Sequence, residues 1–138
     1  MTKEFIPYIE ALALKELGFD EPCFGTWFTE GRLWIHEQDM IDGSAFSLHQ
    51  APLYQQAFRW FRDKYGLKHD IDDDNIGSKF YFRIKSFTDK FDNYDDILLL
   101  IRQEKDWVKI EFKTYEEAEF ACLRKLIEIV KSKKDEIK

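Results

Sequence analysis

Six side chains with cation-binding chemistry fall within seven positions of this sequence: His69, Asp70, Asp72, Asp73, Asp74 and Asn75. Carboxylate oxygens suit a hard divalent cation, and Asp70, Asp72 and Asp74 have the spacing of the first three oxygen ligands of a calcium loop. Such a loop also needs glycine at its sixth position and a bidentate glutamate at its twelfth, where this chain has Asn75 and Tyr81. The stretch Lys68–Ser78 is therefore expected to be a solvated polar turn that holds no metal. A second acidic cluster, Asp89, Asp92, Asp95 and Asp96, matches no ligand spacing and takes the same reading.

Nucleophilic and acid–base chemistry has thinner support. The chain contains no glycine-rich phosphate loop, no nucleophile elbow, no closely spaced cysteine pair and no His-x-x-x-His. His36, His49 and His69 stand far apart and are expected to be surface or partly buried polar residues. Cys23 and Cys122 fall in segments that read as strand and helix interior, so each is expected to behave as a small buried apolar side chain. Glu119 falls inside an apolar helical arc, where a carboxylate must be paired or lie at the rim. No catalytic residue and no cofactor is assigned, and the balance leans away from an enzyme.

Two surfaces offer binding chemistry instead. In the runs Cys23–Phe28 and Arg32–Glu37, pairing of Phe28 with Arg32 puts Cys23, Gly25, Trp27, Leu33 and Ile35 on a core face. Phe24, Thr26, Phe28, Arg32, Trp34 and His36 then share the other face. It reads first as a half-covered sheet face packed by a loop, and second as a platform where Trp34 and Phe24 would stack on a ligand and Arg32 would anchor it. The second surface is the outer side of Ala51–Gly66, where Arg59 and Arg62, with Lys64 and Lys68 beyond, are locally basic. An acidic protein partner suits that side better than single-stranded nucleic acid, because the whole chain carries a net charge of −6.

The elements that must position these residues are legible from periodicity and punctuation. Pro7–Leu17, closed by Gly18, reads as a first helix, with Ile9, Leu12, Ala13 and Leu17 on one side and Leu14 outside that set. Thr29-Glu30-Gly31 suits a hairpin turn with Gly31 in the left-handed position. Gln38–Gln50 is a connector without a clear period. The central helix begins at Pro52 and ends at Gly66, with Leu53, Tyr54, Ala57, Phe58, Trp60, Phe61 and Tyr65 inward and Gln55, Gln56, Arg59, Arg62 and Asp63 outward.

Lys79–Phe87 alternates as a half-exposed strand, Asp96–Gln103 reads as one covered strand, and Trp107–Phe112 alternates again. Thr114 and Glu117 form a capping box for a last helix running to about Lys131, followed by a frayed tail over 132–138. The order α-ββ-α-βββ-α makes an α+β fold: mainly antiparallel sheet, from an N-terminal hairpin and a three-strand meander, with three helices. A chain of 138 residues, 44% of them hydrophobic and 17% aromatic, suits a single domain over 1–138. No secretory core and no apolar run of ~18 residues is present, so a cytoplasmic protein off the membrane is expected.

The segments IPYIEALALKELGFDEPCFG, APLYQQAFRWFRDKYGL and YEEAEFACLRKLIEIVK resemble those of small uncharacterised proteins of Bacteroidetes genomes and their prophages. That resemblance implies a bacterial or phage cytoplasmic setting and no particular activity. The expected function is a non-enzymatic protein-interaction module, a phage-related accessory protein with a protein partner, self-association being left open. A small-ligand or metal-dependent enzyme and a single-stranded nucleic-acid binder are the alternatives.

Overall fold

A computed structural model describes residues 2–28, 30–35, 49–73, 76–86, 96–98, 100–103, 106–109 and 111–137. Among these the fold is α+β with antiparallel pairing throughout. The elements are α1 (Tyr8–Glu16), β1 (Gly25–Trp27), β2 (Leu33–Ile35), β3 (His49–Ala51), α2 (Tyr54–Tyr65), β4 (Leu67–Asp73), β5 (Phe80–Ser86), β6 (Asp96–Leu98), β7 (Leu100–Gln103), β8 (Asp106–Lys109) and α3 (Tyr115–Ile137). A single 3-10 turn, Thr2–Glu4, precedes them. Contacts gather into two compact units, Met1–Ala57 with Val130–Lys138, and Phe58–Ile129.

In the first unit, Pro7 caps α1 with an extended backbone and Leu17 closes it, matching the proline and glycine punctuation of the sequence. The buried face differs from the expected one: Ala11, Leu14 and Leu17 are buried and Ile9 is exposed. A helix this short with apolar residues on most sides has no dominant stripe, so tertiary packing chose its orientation. The sheet has the order β2-β1-β3. Its third strand lies at the end of the connector and was not expected, because three residues are too few to show alternation.

Gly25 sits at the centre of that sheet for want of space: a Cβ there would lie 2.7 Å from Cε1 of Phe5 and 3.1 Å from Cβ of Ala51. Phe5 is itself buried and bridges to Leu53, while the Ile6 amide donates to the Pro52 carbonyl at 2.9 Å.

Helix α2 presents the expected inner face, with Tyr54, Ala57, Phe58, Trp60 and Phe61 buried. Gln56, expected on the outside, is buried as well. Its Nε2 donates to the Pro22 carbonyl at 2.9 Å and to Oε1 of Glu21 at 3.3 Å, which compensates the burial of its amide nitrogen.

In the second unit, Gly66 ends α2 at φ +68 and β4 starts at the next residue. The expected solvated turn over Lys68–Ser78 is corrected here: Lys68–Asp73 is strand, paired over its full length with β5 from Leu67↔Ser86 to Asp73↔Phe80. Leu67, His69 and Ile71 alternate with exposed Lys68, Asp70 and Asp72. The aspartates hid this period of two, because strands usually lack them.

The run Asp96–Gln103, expected as one strand, serves two sheets: β6 pairs with β5, and β7 pairs with β8. Of the second acidic cluster, Asp89, Asp92 and Asp95 lie outside the described residues. Phe112 exchanges both backbone hydrogen bonds with Phe80, at 2.8 and 2.7 Å.

The start of α3 is capped by Thr114, whose Oγ1 accepts from the Glu117 amide at 3.1 Å. The Glu117 carboxylate reaches the amide of Lys113 at 3.2 Å, one residue before the expected partner. The helix continues to Ile137, beyond the expected end near Lys131, and Lys134 Nζ donates to the Leu17 carbonyl at 2.8 Å.

Phe61 is fully buried and Arg62 exposed, so Phe61→Ala is expected to cost about 3–5 kcal/mol and Arg62→Ala well under 1. Urea unfolding of the two variants measures the difference, and equal midpoints would contradict the assignment of the α2 faces. Gly25→Ala is expected to destabilise by about 1–3 kcal/mol, because Phe5 and Ala51 must shift to admit one methyl group.

Candidate functional site

The hairpin of β1 and β2 closes where the sequence places it. The Phe28 amide donates to the Arg32 carbonyl and the Gly31 amide to the Phe28 carbonyl, both at 2.9 Å, with Gly31 at φ +89. The register Thr26↔Trp34 then makes Phe28 and Trp34 diagonal neighbours on one face. Their rings stack with centroids 6.3 Å apart and planes 26° apart. The Arg32 guanidinium lies 4.7 Å from the Phe28 centroid and 3.2 Å from the Glu30 carboxylate. Trp34 keeps 48% of its surface open to solvent.

This face is not uniform along its length. Thr26, which shares it, is only 2% exposed, so the sheet is covered at its middle and open toward the turn. Phe24, the other ring assigned to this face, is half-buried one residue before β1. His36 lies outside the described residues. On the opposite face Trp27 is anchored: its Nε1 donates to the Ile6 carbonyl at 2.9 Å, and Tyr8 meets it edge-on at 6.1 Å. Strand alternation thus sends neighbouring tryptophans of the hairpin to opposite fates, one tethered and one presented.

The basic side of α2 is weaker than its composition suggests. Arg59 and Arg62 are exposed as expected, but Arg62 Nε lies 3.6 Å from the Asp63 carboxylate. Lys64 folds back over Trp60 and Tyr65, at 5.1 and 5.8 Å from their centroids. Exposed ion pairs and cation–π contacts of this kind contribute little, yet they disperse the positive charge that an anionic partner would need concentrated.

Among the described residues both cysteines are buried and His49 and His69 are half-buried. The Cys23 thiol donates to the Glu21 carbonyl at 3.3 Å, and burial with the nearby Glu21 charge pushes its pKa up to about 12. Burial, reinforced by Glu119 and Asp70, pushes the Cys122 thiol up as well. Both are therefore held as thiols, the unreactive form. His69 lies flat on Phe58, centroids 3.8 Å apart, and burial lowers its pKa against the opposing pull of Asp70. His49 meets Tyr8 edge-on at 5.7 Å and is also lowered, by burial and then by Lys15. No group of three or more His, Cys, Asp or Glu side chains that could hold a metal ion occurs among the described residues.

Glu119 is the site-like residue that sequence periodicity did single out. It is 8% exposed, and burial together with the charge of Glu116 raises its carboxyl pKa to about 7. The fold thus binds its proton more readily than the unfolded chain, whose carboxyl titrates near 4.5. The stability it lends is complete below that lower value and is lost as pH rises through 7. Glu119→Gln is expected to match the parent below pH 4.5 and to exceed it by on the order of 1–3 kcal/mol at pH 8, in parallel denaturation series.

Among the described residues no helix is long and apolar enough to cross a membrane. Comparison of the chain with protein-family models, with curated proteins and with solved structures returns no match.

Proposed function

We propose that this chain is a non-enzymatic protein-interaction module, a phage-related accessory protein of a bacterial cytoplasm, which grips a protein partner with the open end of its β1–β2 hairpin. The observation that carries this reading is the half-exposed Trp34, stacked on Phe28 beside the Arg32 guanidinium. Tryptophan and arginine dominate the energetics of protein interfaces because they combine large apolar area with directional polar groups. An indole already held against a neighbouring ring loses little rotational freedom on binding, so more of the contact energy survives as affinity.

The enzymatic alternative draws less support, since both thiols are buried and protonated and His69 is packed flat against a phenyl ring. The nucleic-acid alternative meets a net charge of −6 and an α2 surface whose cations are partly engaged. Capture from a bacterial lysate with immobilised wild type, Trp34→Ala, Arg32→Ala and Arg62→Ala tests the reading. A specific protein should be retained by wild type and Arg62→Ala, and lost by roughly 30-fold with Trp34→Ala, the loss expected of an interface anchor. Equal retention by all four proteins, or no specific protein on any, would overturn it.

A further inference from the structure

We propose that β4 is a self-pairing edge, through which two copies of this chain join antiparallel and merge their β4-β5-β6 sheets into one. In that sheet β4 is the outermost strand, and among the described residues β5 alone pairs with it. Which of its backbone groups face outward follows from the other side of β5. Phe80 spends both its N–H and its C=O on Phe112, so it points away from β4, and the Asp73–Phe80 pair is a rung without mutual hydrogen bonds. Because rungs alternate in an antiparallel ladder, Lys68, Asp70 and Asp72 bond toward β5, and His69 and Ile71 direct their N–H and C=O to the open edge. The Asp73 amide, of the same parity, is met by Oδ1 of Asp72 at 2.9 Å.

The charges along this edge are complementary to themselves. Lys68, Asp70 and Asp72 are exposed on one face of the strand. Antiparallel pairing centred on Asp70 sets His69 against Ile71 of the second copy on hydrogen-bonded rungs. The same register sets Lys68 against Asp72 of the second copy, twice by symmetry. Asp70 meets Asp70 at the centre, where Arg83 stands opposite each of them within its own sheet. Lys68 gains most, because in its own sheet it faces Lys85, a like charge, and the second copy brings a carboxylate to its other side. A slip of two residues one way opposes Asp70 to Asp72, and a slip the other way shortens the paired stretch. That second slip still opposes Lys68 to Asp70, so it is the pairing of all seven β4 residues, with the charges excluding the first slip, that favours the register centred on Asp70.

Sedimentation equilibrium of the full chain over a concentration series, at neutral pH and low salt, should give a monomer–dimer equilibrium that weakens as salt rises. Lys68→Asp and Asp72→Lys each place like charges on both outer rungs, and each should weaken association about tenfold or more. An equimolar mixture of the two variants, with circular dichroism confirming that both are folded, should dimerise again, because it restores opposite charge on both rungs. Asp70→Cys should cross-link to a covalent dimer on mild oxidation and Asp72→Cys should not, since only position 70 meets itself. A wild-type chain that stays monomeric up to millimolar concentration, a dimer indifferent to either reversal, or a mixture that fails to recover would each overturn the proposal.

Discussion

Gly66 is the constraint on which the second unit depends. Its positive φ lets α2 stop and β4 start with no loop between them, a conformation that a residue with a Cβ adopts only with strain. The reversal brings His69 back over the helix it has just left, flat against Phe58 at 3.8 Å. Once β4 is placed, the pairing Leu67↔Ser86 sets the register of β5, and β5 in turn carries Phe80 to its backbone exchange with Phe112. Tyr115, at the head of α3, then meets Phe80 edge-on at 6.1 Å. One backbone angle thus propagates through successive pairings to the entry of the last helix.

The hairpin of the first unit is governed by alternation in the same way. Trp27 and Trp34 differ in role because they project from opposite faces of a two-residue repeat. The anchored indole satisfies its N–H on Ile6 and lies against Tyr8, while the presented one rests on Phe28 and keeps half its surface in water. Rigid support on one face is what allows an aromatic group to be offered on the other without collapse into the core.

Buried polar groups mark where the fold accepts a cost. Gln56 compensates part of its burial through two acceptors near the start of β1, and its Oε1 has no hydrogen-bond partner among the described residues. Glu119 accepts desolvation and keeps a proton near neutrality as the consequence. The thiols of Cys23 and Cys122 follow the same physics in the opposite functional sense, since burial makes them inert packing groups.

Much of this was written in local pattern. The ends of α1, the inner face of α2, the Gly31 turn, the Thr114 cap and the outward projection of Trp34, Arg32, Arg59 and Arg62 follow from proline, glycine and periodicity alone, because each depends on residues a few positions apart. The sequence by itself could not decide that the aspartates of β4 lie in a strand, that Asp96–Gln103 is shared between two sheets, or that Leu14 and Gln56 turn inward. Those outcomes rest on partners far along the chain: β5 supplies the hydrogen bonds that overrule low strand propensity, and Glu21 and Pro22 supply the acceptors that make a buried glutamine tolerable. Local chemistry determined where the three helices and the β1–β2 hairpin begin and which way most of their side chains face. Tertiary pairing decided which polar residues are covered, because a buried polar group is stable only where a distant part of the fold completes its bonds.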